Sequence, residues 1–167
     1  MTSPAMAALP REIEADAGHD AIRERLAAPD RLLWPGGTAT VPVLPLGTVA
    51  AALAVAYGAG HLVLGFEEAA KTLAAETRGL ALVARRGQST SGPRISRLLL
   101  LSDDGADRLY RHAEALAVAH APRVLIAVLA ADAATLGRAT TRRDAAVKVV
   151  LVRHKHAVAA LMRAVAG

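Results

Sequence analysis

The chain has 167 residues, 53% of them apolar but only four aromatic, and it contains no cysteine. That length fits one domain with a real core. The missing cysteine excludes disulfides, iron–sulfur clusters and thiolate zinc sites, and the scarcity of aromatic residues argues against an RNA platform built on base stacking. The net charge of +5 is uneven: Met1–Leu46 has four arginines against six acids, whereas Gly47 onward has 16 bases against nine acids. The basic character expected of a polyanion binder therefore lies in the second part.

The start, "MTSPAMAALPREIEAD", meets acids early and lacks a positive leader. This predicts no secretory signal and a cytoplasmic protein. Pro10–Ala28 reads as a charged amphipathic helix weakened at Gly18, and "PDRLLWPGGTATVPVLP" as a linker with one short strand. Residues 1–46 are therefore expected to form an extension, and 47–167 the domain.

The stretch "GTVAAALAVAYGAGHLVLGFEEAAK", Gly47–Lys71, raises the question of a membrane span. No Asp, Glu, Lys or Arg occurs between Arg31 and Glu67, and a span needs roughly 20 apolar residues. Half of Gly47–Phe66 is Ala and Gly, however, prolines precede it and two carboxylates follow it. No anchoring residues frame both ends. The soluble reading divides it into a helix over Thr48–Tyr57 that is apolar on most sides and so expected to be buried, a glycine turn, the strand "HLVLG" and the amphipathic helix "FEEAAKTLAAE".

Beyond that helix, Leu80–Ala84 and Ile95–Leu101 read as two strands flanking a basic, turn-rich segment. In "SDDGADRLYRHAEALAVAH", Asp103 or Asp104 is placed to cap a helix whose inner face includes Leu109, Ala113 and Leu116. "PRVLIAVLA" is a strand, and Asp132 caps a short helix, "AATLGRA", ending near Gly137. "AAVKVVLV" is another strand, and a last helix from about His154 buries Val158, Leu161, Met162 and Val165. Continuous aliphatic strands alternating with helices are covered on both faces. They predict a three-layer α/β/α sandwich around a mixed sheet of about four strands, with an N-terminal helical extension.

Catalytic signals are weak. "VLVRHKHA" lacks the glycine of an Arg-His-Gly phosphatase motif. His154 and His156 would diverge if both lay on a helix, leaving solvated basic residues. "GQSTSGPR", Gly87–Arg94, lacks the Lys-Ser/Thr ending of a phosphate loop and leads into no helix. Ser89, Ser91 and the histidines form no legible triad. No catalytic residue, metal or cofactor is expected.

Two segments carry a resemblance. Gly65–Lys71, "GFEEAAK", is similar to the Gly-x-Asn-Glu-x-x-Lys motif of the kink-turn RNA-binding superfamily, the group of ribosomal proteins L-seven-Ae and L-thirty-e with their small bacterial relatives. Gly65, Glu68 and Lys71 match. "TLGRA", Thr135–Ala139, followed by a basic loop and a valine-rich strand, resembles the family's Leu-Gly-Arg/Lys turn, and the order of elements over about Gly47–Val165 agrees. The resemblance implies an α/β/α fold, no membrane, and non-catalytic binding of structured RNA, ribosomal or otherwise kinked.

The implied contacts are Gly65, Glu67, Glu68 and Lys71 at the helix start, and Leu136, Gly137, Arg138, Arg142 and Arg143 in and after the turn. Phosphate would meet free N–H groups at the helix start, and Glu68 would accept from a guanine edge. Glu67 departs from the family's Asn, and a carboxylate accepts but cannot donate. Residues 78–97 are longer than the family needs there and hold five arginines and no acid. This basic insertion adds Arg85, Arg86 and Arg94 as candidate phosphate contacts. Two other readings use the same fold: a protein-interaction or dimerisation module, and a substrate-binding partner of an RNA-modifying enzyme.

Overall fold

The computed structural model describes residues 6–87 and 93–167. Most of "GQSTSGPR", including Ser89 and Ser91, lies outside the described residues. In chain order the elements are α1 (Arg11–Glu14), α2 (His19–Leu26), β1 (Arg31–Leu32), β2 (Thr40–Val41), β3 (Val43–Leu44), α3 (Leu46–Gly58), β4 (Leu62–Leu64), α4 (Phe66–Arg85), β5 (Arg97–Leu101), α5 (Asp107–Ala119), β6 (Val124–Leu129), α6 (Ala133–Thr141), β7 (Val149–Val152) and α7 (Lys155–Val165).

The expected α/β sandwich is the architecture observed. A mixed sheet runs in the order β3-β6-β5-β7-β4. Strands β3, β6 and β5 are mutually parallel, and β7 lies antiparallel to both neighbours. The fifth strand, β3, comes from the short strand read in the Pro/Gly linker, and β1 and β2 form a small separate hairpin. Strand side chains alternate between faces. Leu98, Leu100, Val150 and Val152 join a core with α1, α2, α3, α6 and α7, while Leu99, Leu101, Val149 and Leu151 join a second core with α4 and α5. No described helix is long and apolar enough to cross a membrane.

Residues 1–46 prove to be less of an appendage than expected. Leu9, Ile13, Ile22 and Leu26 are buried in the first core, and Leu33 and Val41 in the second. Between α1 and α2 the Asp16 carboxylate accepts from the Gly18 N–H, so the single helix read over Pro10–Ala28 is two. Arg163 of α7 then donates to Asp16 and Glu12, and Arg94 pairs with Glu14.

Four other expectations are corrected. Leu80–Ala84 is not a strand: α4 runs on through it to Arg85. Its alanines, leucines and arginines are good helix formers, so one glycine, Gly79, does not stop it, and β7 occupies the edge of β5 that a hairpin partner would need. Neither Asp103 nor Asp104 caps α5, whose N-cap is Ala106. Asp104 instead accepts from the Ala133 N–H at the start of α6, and the Tyr110 hydroxyl accepts from the Gly105 N–H and donates to the Ser102 carbonyl. Asp132 does cap α6, but the helix continues past Gly137 to Thr141. Finally, α3 buries Val49, Leu53 and Ala56 while leaving Val55 and Tyr57 exposed, so only one side of it is covered.

Two positions should be sensitive to substitution. A Cβ on Gly137 would sit 1.5 Å from the Ala145 carbonyl oxygen. Gly137→Ala should therefore destabilise by about 2–3 kcal/mol in urea unfolding. Glu76 is 18% exposed and is held by Arg97 and Arg123 at 3.0 and 2.9 Å. Glu76→Ala strands two half-buried guanidinium groups and should cost about 2–4 kcal/mol in the same measurement.

Acid should loosen the N-terminal segment. Glu14 is held below its ordinary pKa chiefly by its hydrogen bond from Arg94, Asp16 by those from Gly18 and Arg163, and Asp30 by those from Val43 and Arg25. Depressed carboxylates contribute stability above their unfolded pKa values and lose it as pH falls through the folded ones. The carboxylate contribution should therefore hold from neutral pH down to about 5 and decline below about 4, on top of a shallower decline from about pH 7 that the depressed His120 and His154 add. Urea midpoints across that range test this; in Arg163→Ala the decline should be shallower.

Candidate nucleic-acid interface

The first segment that carries the resemblance meets the valine-rich strand that follows the second. Strand β4 pairs with β7, and the Gly65 N–H extends the ladder by donating to the Val149 carbonyl at 2.9 Å. Gly65 then turns the chain into α4 with φ +94°, a conformation that favours glycine. The start of α4 therefore lies beside the segment that leads from α6 into β7.

That segment has a defined course. Arg142 ends α6 in the left-handed region, its N–H donating to the Arg138 carbonyl. Thr141 Oγ1 donates to the Gly137 carbonyl and accepts from the Arg143 N–H. The Val147 N–H donates to the Ala133 carbonyl. Leu136 and Gly137 are buried: Leu136 packs in the core, and Gly137 lets the Ala145 backbone pass against α6. These two residues fix the loop and present no side chain outward.

Several charges around this junction are already matched. Lys71 lies 3.6 Å from Glu68, both largely exposed, where sequence spacing points to Glu67. Arg138 pairs with Asp144. Arg142, Arg143 and Lys148 are exposed and make no ion pair among the described residues, against Glu67 alone. Exposed pairs are weak and exchange readily for other partners, so the junction has net positive charge with exchangeable carboxylates.

The arginines of 78–97 do not gather there. Arg85 and Arg86 are exposed at the far end of a 20-residue helix, about 30 Å from Gly65. Arg94 donates to the Leu9 carbonyl and pairs with Glu14. Arg97 is held by Glu76.

Sequence reasoning misses Lys148, Arg153 and the convergence of the histidines near the end of β7. Lys148 falls inside a run that reads only as a strand. "RHKH" is legible as a basic cluster, but His154 proves to be the N-cap of α7 instead of a helical residue. The two histidines therefore converge: their ring centroids are 5.1 Å apart. No group of three or more His, Asp or Glu among the described residues is arranged to hold a metal ion.

Compared with protein-family models and with curated proteins, the chain finds no match.

Proposed function

We propose that the protein binds structured RNA without catalysis, through the junction of α4 with the α6–β7 loop. The observation that carries this reading is the Gly65–Val149 hydrogen bond, which ties the start of α4 to the strand entered from the loop after the Leu-Gly-Arg turn. The open N–H groups of the first turn of α4 face the same end of the sheet as Arg142, Arg143 and Lys148. A phosphate backbone crossing this end meets helix N–H donors and fixed cations together. Glu68 exchanges Lys71 for a guanine edge, and Lys71 moves to phosphate. Arg85 and Arg86 reach a separate stretch of backbone only on an RNA longer than α4.

Binding should be measured across a salt series on a kink-turn RNA, a kink-disrupted variant and a plain duplex. The protein should prefer the intact kink. Arg142→Ala with Arg143→Ala should lower the slope of log affinity against log salt by about one for each phosphate no longer neutralised. Glu68→Gln should reduce the preference for the kink more than it reduces duplex binding. Equal, steeply salt-dependent binding to all three RNAs would contradict kink recognition, and no binding at low salt would contradict the proposal as a whole.

A second reading has its own support. Helix α3 carries no charge, and Val55 is 73% and Tyr57 38% exposed. This is the apolar surface that a protein-interaction or dimerisation module would offer. Sedimentation of the wild type against Val55→Glu tests it: self-association that disappears in the variant would favour this reading.

A further inference from the structure

The C-terminal end of β7 gathers a second set of charges. The Arg153 N–H donates to the His61 carbonyl at 3.0 Å. This places His61, just before β4, against His154: the rings stack with centroids 3.9 Å apart and planes 8° apart. The His156 ring lies against the same His154 ring. On the α4 side, Lys71, Thr72, Ala75, Glu76 and Arg153 line an open groove of about 450 Å³.

Charge in this groove is unbalanced. Its lining carboxylate, Glu76, is already held by Arg97 and Arg123. Arg153 and Lys155 make no ion pair among the described residues, and Lys71 has only its long, exposed pairing with Glu68. The charged groups that act on His154 are Arg97 from β5 and Lys155 from α7, and Arg153 precedes it in the chain. His154 is held below its ordinary pKa first by burial, then by His61, His156, Lys155 and Arg97. Its Nδ1 accepts from the His156 N–H at 3.2 Å, so in the neutral ring Nε2 carries the hydrogen and is a donor.

We propose that this groove is a phosphate-binding site, with Arg153 and Lys71 as fixed cations and His154, next to Arg153 in the chain and stacked on His61, as a proton-dependent share of the positive charge. A phosphate here offsets the positive charge around His154. Proton uptake at His154 then favours the bound state, and binding tightens as pH falls toward about 6. Lysine and arginine do not change charge in that range, and a terminal phosphate that protonates near pH ~6 binds them less tightly as pH falls. A nucleic-acid backbone and a free phosphorylated small molecule share this chemistry. Apart from Lys71 the site uses none of the kink-contact residues, so it stands or falls separately from kink recognition.

The test uses the full chain with two probes, inorganic tripolyphosphate and a short fluorescent single-stranded RNA, at constant ionic strength. At least one probe should bind about tenfold more tightly near pH 5.5 than near pH 7.5. Arg153→Ala should weaken binding at both pH values. The double variant His61→Asn, His154→Asn keeps an N-cap on α7 and should melt like the wild type while losing the pH dependence. RNA displaced by tripolyphosphate would assign the site to a nucleic-acid backbone, and tripolyphosphate bound without RNA would assign it to a free phosphorylated ligand. Arg142→Ala with Arg143→Ala should leave the pH dependence in place, which separates this site from the kink contact. Binding independent of pH, or unchanged in both Arg153→Ala and the histidine variant, would overturn the proposal.

Discussion

The placement of β7 between β4 and β5 is the constraint on which the rest of the structure depends. Its four residues are all buried, and it runs antiparallel to both neighbours in a sheet where β3, β6 and β5 are parallel to one another. A buried strand needs partners on both edges for its backbone groups. Meeting that need brings the last strand of the chain back to the interior of the sheet. The loops at its two ends then fall beside α4, one at the helix start and one about halfway along. Both candidate surfaces are consequences of this one insertion.

Charge pairing assigns many of the arginines. Glu76 binds Arg97 and Arg123 where α4 crosses the starts of β5 and β6, and the acids of the N-terminal segment bind Arg94 and Arg163. The negative N-terminal part and the positive remainder therefore neutralise each other in part within one fold. Arg142, Arg143, Lys148, Arg153 and Lys155 have no carboxylate among the described residues and lie around the two ends of β7; Arg85 and Arg86 sit at the tip of α4. A net charge read from composition cannot distinguish these groups, because it counts structural and available arginines alike.

The strands of the large sheet and most helices are legible in the sequence because aliphatic runs and glycine or aspartate punctuation mark them locally. Asp132 illustrates this: its carboxylate accepts from the Thr135 N–H three residues on, a relation contained in the sequence. Leu80–Ala84 is not legible in the same way, because a short apolar run does not decide between strand and helix; the available sheet edge decides, and β7 occupies it. The N-terminal segment looks separable because Leu9, Ile13, Ile22 and Leu26 have partners far away in sequence. The histidine cluster is hidden for a related reason. His154 and His156 diverge only if both are helical, and the ring that completes the stack, His61, is more than 90 residues away.

The most direct test of RNA binding along β7 and α4 is to follow backbone amide shifts by NMR as RNA is added to the full chain. The largest shifts should fall along one track, from Gly65 and Glu67 through Lys71 to Arg153, together with Arg142–Lys148 at the loop. Shifts confined to α3 or to the Arg85 end of α4, with Gly65 and Lys148 unmoved, would contradict it.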